Sequence, residues 1–485
     1  MNAVAQFSVA SGLGQRPPRI AVVCGYMPYF EEIMPPDFRS AMAARGEAGA
    51  RRLDGLGEVL FAGLVHDHDS GFAAGQRIRA FAPDVVVLAP TMAAPAGYQY
   101  AAVRDLGRIP IVLLDIHELE TIPPDYTAHS IVPNSVTVGC MMINSLLRRQ
   151  GRWSPVVTGH AGDPATWARA RDTVRVAAVA GRFTRARFGV LGAPLDGYSH
   201  VLCDPGALAG ATGASLVEIG PAEFTDAWRG IADTAVAALA AAYRAAVTVD
   251  IAAADEDQFR RSLRLALTLE AMVRRHGLAG GTFNCRNEYG VLNPEIGVLG
   301  CLANSHLTTH GHPFTCTGDV LTAIAMYLGK QLGGDSYYCE LDTLDYAADA
   351  VLCANTGEGD FRQAESCAGC AIRRSGHESG RYSPGCNIRY DMPHRDGTAL
   401  AFAPRPDAPG GHVIIAAQGR IAGTPDTRLA LPSMYFRFQD MPVGEAMSRW
   451  IEAGAVHHTG ISSGHHAAAL ELVARLVGIG FERVS

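Results

Sequence analysis

The chain has 485 residues, 48% of them hydrophobic and 18% charged, and a formal net charge of −7 from 41 basic and 48 acidic side chains. That length exceeds a single core and implies two to four domains of about 150 residues each. The acidic balance, without any Lys/Arg block, argues against a nucleic-acid partner, and no run reaches the roughly 18 apolar residues of a membrane span, so small molecules are the expected partners.

Residues 1–18 lack the early positive cluster and apolar core of a secretory signal and read as a flexible leader closed by Pro17 and Pro18. Eleven cysteines without such a signal read as reduced thiols, which makes the cytoplasm the expected location. Arg19 to Cys24, Glu58 to Gly63, Asp84 to Ala89 and Ile109 to Ile116 are short, β-branched apolar runs with helix-like stretches between them. This is the pattern of a doubly wound parallel sheet and predicts an N-terminal α/β domain over 19–160. His117, just past the fourth run, is either a loop histidine bonded within its own turn or a contact to a substrate hydroxyl.

Ser154 to Gly159 reads as a further strand, and Asp163-Pro164 starts a helix well, Asp as cap and Pro in the first turn. A second α/β domain is expected over 161–325, with strands at Arg187 to Leu191, His200 to Cys203 and Ser215 to Gly220 and long helices over Ile231 to Ala246 and Asp255 to His276. From 326 to 485 the chain is expected to form a β-rich, barrel-like C-terminal domain, interrupted over 358–397 by a loop rich in Cys, Arg and Gly. Two doubly wound parallel-sheet domains followed by a β-rich domain is therefore the expected fold.

The stretch Gly281 to Gly357 reads as the active-site segment. It places Glu288, Asp319, Glu340, Asp342 and Asn355 where apolar segments begin or end, around a predicted amphipathic helix over Val320 to Gln331. Far downstream, His457 and His458 stand together in a Gly/Thr loop, and a carboxylate and imidazole set suits a divalent ion such as Mn²⁺. Nothing in the spacing shows that residue 340 meets residue 458. Cys367 and Cys370, followed by Cys386 and His394 with His377 between, suggest a structural Zn²⁺ site; a reduced Cys-rich loop is the alternative. Arg362, Arg373, Arg374, Arg381 and Arg389 in that loop bind an anionic substrate group or are simply solvated. No glycine loop matches a dinucleotide fingerprint or a P-loop, so neither nicotinamide nor ATP is implied.

Several stretches resemble the L-fucose and L-arabinose isomerases: LLDIHE (Leu113 to Glu118), SPVVTGHAGDPATW, ARFG (Ala186 to Gly189), CRNE (Cys285 to Glu288), then TCTGDVL, YYCELD and VLCANTG in order, and finally GAVHHTGISSGH. The resemblance implies a metal-dependent aldose–ketose isomerase working through an enediol, with Mn²⁺ at the base of a sugar pocket, in a homo-oligomer (trimer or hexamer). It implies a metal-binding acid at Glu340 and a histidine ligand at His458, or else His457. Thr317 stands where the family has its other essential Glu, and Asn355 where arabinose isomerases have a His, so Asp319 or Glu288 would have to supply the second acid. His117, Asn355, His457 and Thr317 are then the expected substrate contacts. The alternative is a family member that has lost isomerisation and binds or otherwise processes a polyhydroxylated, anionic ligand.

Overall fold

A computed structural model describes residues 9–14, 16–376, 382–429 and 431–485. The chain divides into two compact units, Arg16–Thr184 on one side and Met1–Gln15 with Arg185–Ser485 on the other.

In the unit Arg16–Thr184, the strands are β1 (Arg19–Gly25), β2 (Glu58–Val65), β3 (Val85–Leu88), β4 (Ile111–His117) and β5 (Val156–His160). They form one parallel sheet in the order β2-β1-β3-β4-β5. Val85, Val86 and Val87 are fully buried, as expected of strands covered by helices on both faces. Asp163 caps the helix Pro164–Phe183 by accepting from the amides of Ala165 (2.9 Å) and Thr166 (3.1 Å). That helix returns onto β3, β4 and β5, so the unit ends at Thr184 and the expected boundary at 160 falls inside it.

The strands of the other unit are β6 (Arg187–Leu191), β7 (Ser215–Glu218), β8 (Thr248–Asp250), β9 (Gly280–Phe283), β10 (Phe314–Cys316), β11 (Tyr337–Asp345), β12 (Ala350–Ala354), β13 (Ala371–Gly376), β14 (Tyr382–Arg389), β15 (His394–Pro404), β16 (His412–Ala422), β17 (Ser433–Phe438), β18 (His458–Ser463) and β19 (Gly480–Arg483). β10-β9-β6-β7 form a second parallel sheet. In the C-terminal sheet the order is β15-β18-β11-β12-β17-β16-β19, and the extra pairing of β15 with β16 closes six antiparallel strands into a ring. The architecture is thus α/β with two parallel sheets and a β-rich third part, and ring closure removes the open edges.

Three expectations change. The helix Val320–Gly333 is not amphipathic in place: every residue from Val320 to Lys330 is buried, because it packs against β9 on one side and β15 and β18 on the other. Residues 200–203 are not a strand; Ser199–Val201 form a 3₁₀ turn, and Pro205 starts the next helix. The described part of the expected flexible leader is docked: Val9 is buried, its carbonyl lies 2.8 Å from His310 Nε2, and the Ser11 hydroxyl donates to buried Glu270. All eleven cysteines are free thiols. Among the described residues no single helix is long and apolar enough to cross a membrane.

Candidate metal centre

The site is built where the second parallel sheet meets the strand ring. After β10 the chain turns through Thr317 (φ 59°) and Gly318 (φ 85°) into Asp319, the N-cap of the helix Val320–Gly333. A β-branched residue in the left-handed region is costly, of order 1–3 kcal/mol, and persists only where the surroundings impose it. The bend delivers Asp319, fully buried, to the C-terminal edge of the sheet. Its Oδ1 accepts from the Thr322 amide (3.0 Å) and its Oδ2 from the Thr322 hydroxyl (2.7 Å). The Oδ2 also lies 2.8 Å from His458 Nδ1.

The ladder between β11 and β18 pairs Glu340 with His458, which joins two residues the sequence keeps far apart. Glu340 Oε1 lies 3.6 Å from His458 Nε2 and 3.8 Å from His457 Nε2. A carboxylate oxygen accepts, so the Nδ1 that faces Asp319 is the donor of the pair and the Nε2 lone pair of His458 turns toward Glu340. His457 Nδ1 in turn lies 2.7 Å from Nε2 of His200, with the Tyr198 ring edge-on to it. Burial first, and then the neighbouring His458, lower the His457 pKa to about 4, so this imidazole is neutral at physiological pH. Its Nε2 is buried without a hydrogen-bond partner.

Ligand-capable atoms of Asp319, His457 and His458 all lie within 4.8 Å of one another, a group that could hold a metal ion. Both Asp319 oxygens are already engaged by Thr322 and His458. Its geometry therefore suits orienting the imidazole, while Glu340 Oε1, outside that group, lies 3.6 Å and 3.8 Å from the Nε2 atoms of His458 and His457. An orphaned, buried, neutral imidazole nitrogen beside a carboxylate fits a borderline divalent ion.

Beside Glu340 opens a cleft of about 370 Å³ lined by Arg286, Asp342, Asn355, Thr356 and Ser375 among others. Asn355 Nδ2 and Ser375 Oγ are buried with no hydrogen-bond partner, donors that a ligand oxygen would satisfy. Asp342 sits at the β-bulge that interrupts the β11–β12 register, and partial burial followed by the charge of Glu340 raises its pKa. Glu358, on the loop after β12, is buried and pushed up by desolvation, while its Oε2 accepts from the Thr356 hydroxyl.

The other expected site residues are placed as follows. The Thr317 hydroxyl donates to the Cys316 carbonyl (2.8 Å). Glu288 is exposed in the turn after β9, and no hydrogen bond or ion pair among the described residues joins it to Asp319, Glu340 or the two histidines. His117 belongs to the other unit, where its Nε2 lies 3.0 Å from the Thr137 hydroxyl and 3.1 Å from Asp115, a locally engaged ring. Among the described residues Cys367, Cys370 and Cys386 do not gather into a metal-holding group, because the β13–β14 register sets Cys386 opposite Arg374, four residues and roughly 13 Å along the strand from Cys370. His377 and Arg381 lie outside the described residues. His200, Tyr198 and Glu358 carried no sequence signal: His200 lies in a short 3₁₀ turn, Tyr198 just before it, and Glu358 in the loop after β12.

No protein-family model matches the chain, and no curated protein matches it.

Proposed function

We propose that the chain is a divalent-metal-dependent ketol isomerase, or a closely related carbohydrate-converting enzyme, of the L-fucose/L-arabinose isomerase kind. The convergence of Glu340, His457 and His458 carries this reading, each histidine being held through its other ring nitrogen by Asp319 or His200. The adjoining cleft, with its unsatisfied amide and hydroxyl donors, suits a polyhydroxylated small molecule. The same reading carries a cytoplasmic homo-oligomer, a trimer or hexamer.

Glu340, His457 and His458 would hold Mn²⁺ or another divalent ion, which would supply Lewis-acid chemistry at the site. Asp319 holds the Nδ1 proton of His458 and so keeps the Nε2 lone pair on the site side. Asp342, whose pKa is raised beside Glu340, is suited to hold a proton and pass it between neighbouring carbons, since acid–base pairs work when their environments push their pKa values apart. Asn355 Nδ2 and Ser375 Oγ orient substrate oxygens in the cleft. Arg286 at its edge leaves room for an anionic group.

One observation favours a second reading. Thr317 stands where the family has an acid, its hydroxyl is spent on a backbone carbonyl, and a hydroxyl is no base near neutral pH, so the chain would bind or otherwise process a polyhydroxylated ligand without isomerising it. Elemental analysis by mass spectrometry of the wild type and of Glu340→Gln/His458→Ala, followed by C2 hydrogen–deuterium exchange on a panel of aldoses, separates the two. About one Mn or similar ion per chain, lost in the double variant, with exchange at C2 supports the isomerase. Metal without exchange supports the second reading, and no metal even after Mn²⁺ is added back sinks the isomerase and leaves a metal-free binding or processing role as the better account.

A further inference from the structure

The unit Arg16–Thr184 holds a separate cavity of about 490 Å³ at the C-terminal ends of β1, β3 and β4. Its floor is the sheet face carrying Val22, Cys24, Leu114 and Ile116. One wall is the helix Phe38–Arg51, which lines the space with the small residues Ala44, Gly46, Ala48 and Gly49 and with Arg45. Beside it stands the indole of Trp167 on the helix Pro164–Phe183, whose ring tip closes against Gly49: a Cβ built there would lie 4.0 Å from it, ordinary van der Waals contact. Arg171 ties the walls together by donating to the carbonyls of Arg52 (2.6 Å) and Asp54 (2.8 Å). A pocket of this size at the point where strand order reverses is where open α/β sheets receive ligands.

The polar groups narrow the ligand. Arg45 pairs with Glu118 (3.0 Å) and donates from each terminal nitrogen to one carbonyl, those of Pro133 and Ile116. The Thr91 hydroxyl donates to Gly25 O (2.9 Å), and the Trp167 Nε1–H to Ala161 O (2.8 Å). Burial pushes the Cys24 thiol up to about 12, against a smaller opposing effect of Arg45, so the sulfur is an apolar wall and no nucleophile. What is left is Arg52, whose guanidinium lies 5.7 Å from the Trp167 ring and which has no carboxylate within 4.0 Å among the described residues. A polyol would lose its hydration here without finding partners, and a polyphosphate would meet a single cation and no glycine cradle.

We propose that this cavity binds a small planar aromatic monocarboxylate, with the ring on the floor of Val22, Cys24, Leu114 and Ile116 beside Trp167 and the carboxylate on Arg52. The site is independent of the metal centre and of the reaction assigned to it.

The test uses the full chain and 2-naphthoate as probe, followed by calorimetry and by quenching of tryptophan emission. Saturable binding at one site per chain is expected, with the quench removed in Trp167→Phe. Arg52→Gln should weaken 2-naphthoate about tenfold or more while changing the neutral 2-naphthamide little, since only the former makes a charge-assisted bond. Ala48→Phe should abolish binding of both by filling the cavity; Gly49→Leu replaces it should that variant misfold. Absence of saturable binding up to millimolar probe, or binding that survives the filled cavity, overturns the site. Equal loss of both probes in Arg52→Gln overturns the carboxylate assignment.

Discussion

Asp319 performs two tasks that substitution can separate. Its carboxylate caps the helix Val320–Gly333 through the Thr322 amide and fixes the proton of His458 on Nδ1. Asparagine caps a helix about as well as aspartate, so Asp319→Asn should cost well under about 1 kcal/mol of helix stability. Alanine loses the cap, about 1–2 kcal/mol, and strands a buried imidazole N–H, about 1–3 kcal/mol more. Metal affinity should behave differently: removing the negative partner of a ligating histidine costs roughly 10–100-fold, about 1.4–2.8 kcal/mol, in both variants. Glu340→Gln, which removes a donor itself, should exceed that range. The measurement is competition of Mn²⁺ or Zn²⁺ against a chelating fluorophore, with thermal melting of the metal-free protein alongside. Unchanged metal affinity in Asp319→Asn would refute the orienting role, and a loss equal to that of Glu340→Gln would make Asp319 a direct ligand instead.

Other positions give outcomes as definite. Lys330 is buried against Asp360, which also accepts from the Ser336 and Arg362 amides; Lys330→Ala leaves that carboxylate unbalanced and should destabilise by about 3–5 kcal/mol in chemical denaturation. Thr317→Gly should raise the melting temperature of the metal-free protein, because glycine accepts φ 59° without the order of 1 kcal/mol that threonine stores there; a lower melting temperature would show that its side-chain packing outweighs the strain. For Glu270, burial raises the pKa, but the hydrogen bond and charge of His306 together with Ser11 and Arg274 override it and lower it from 4.5 to about 2. A depressed carboxylate contributes stability above its unfolded value, here about 3 kcal/mol on an order-of-magnitude basis, and this is lost as pH falls from 4.5 through about 2. Glu270→Gln should therefore flatten the acid limb of the stability curve in that window, which denaturation from pH 5 to pH 2 will show.

Local chemistry wrote much of this molecule into the chain. The short valine and isoleucine runs at 19–25, 85–88 and 111–117 marked buried strands, because β-branched side chains suit a pleated backbone covered on both faces. Asp163-Pro164 marked a helix start, and the spacing over Asp255 to His276 marked a long amphipathic helix, since cap chemistry and a 3.6-residue period are short-range properties. Carboxylates at element ends and a paired histidine were also visible, as residue types. Their meeting was not. Glu340 faces His458 only because β11 and β18 pair in one register, and β15 reaches β16 to close the ring; such long-range registers follow from the packing of whole faces. Burial on every side of the helix Val320–Gly333 and the approach of His200 to His457 were decided in the same way. The separation of Cys386 from Cys370 shows the converse, a cluster in sequence that a strand ladder pulls apart. Sequence set which groups were available, and tertiary pairing alone decided which of them share a site.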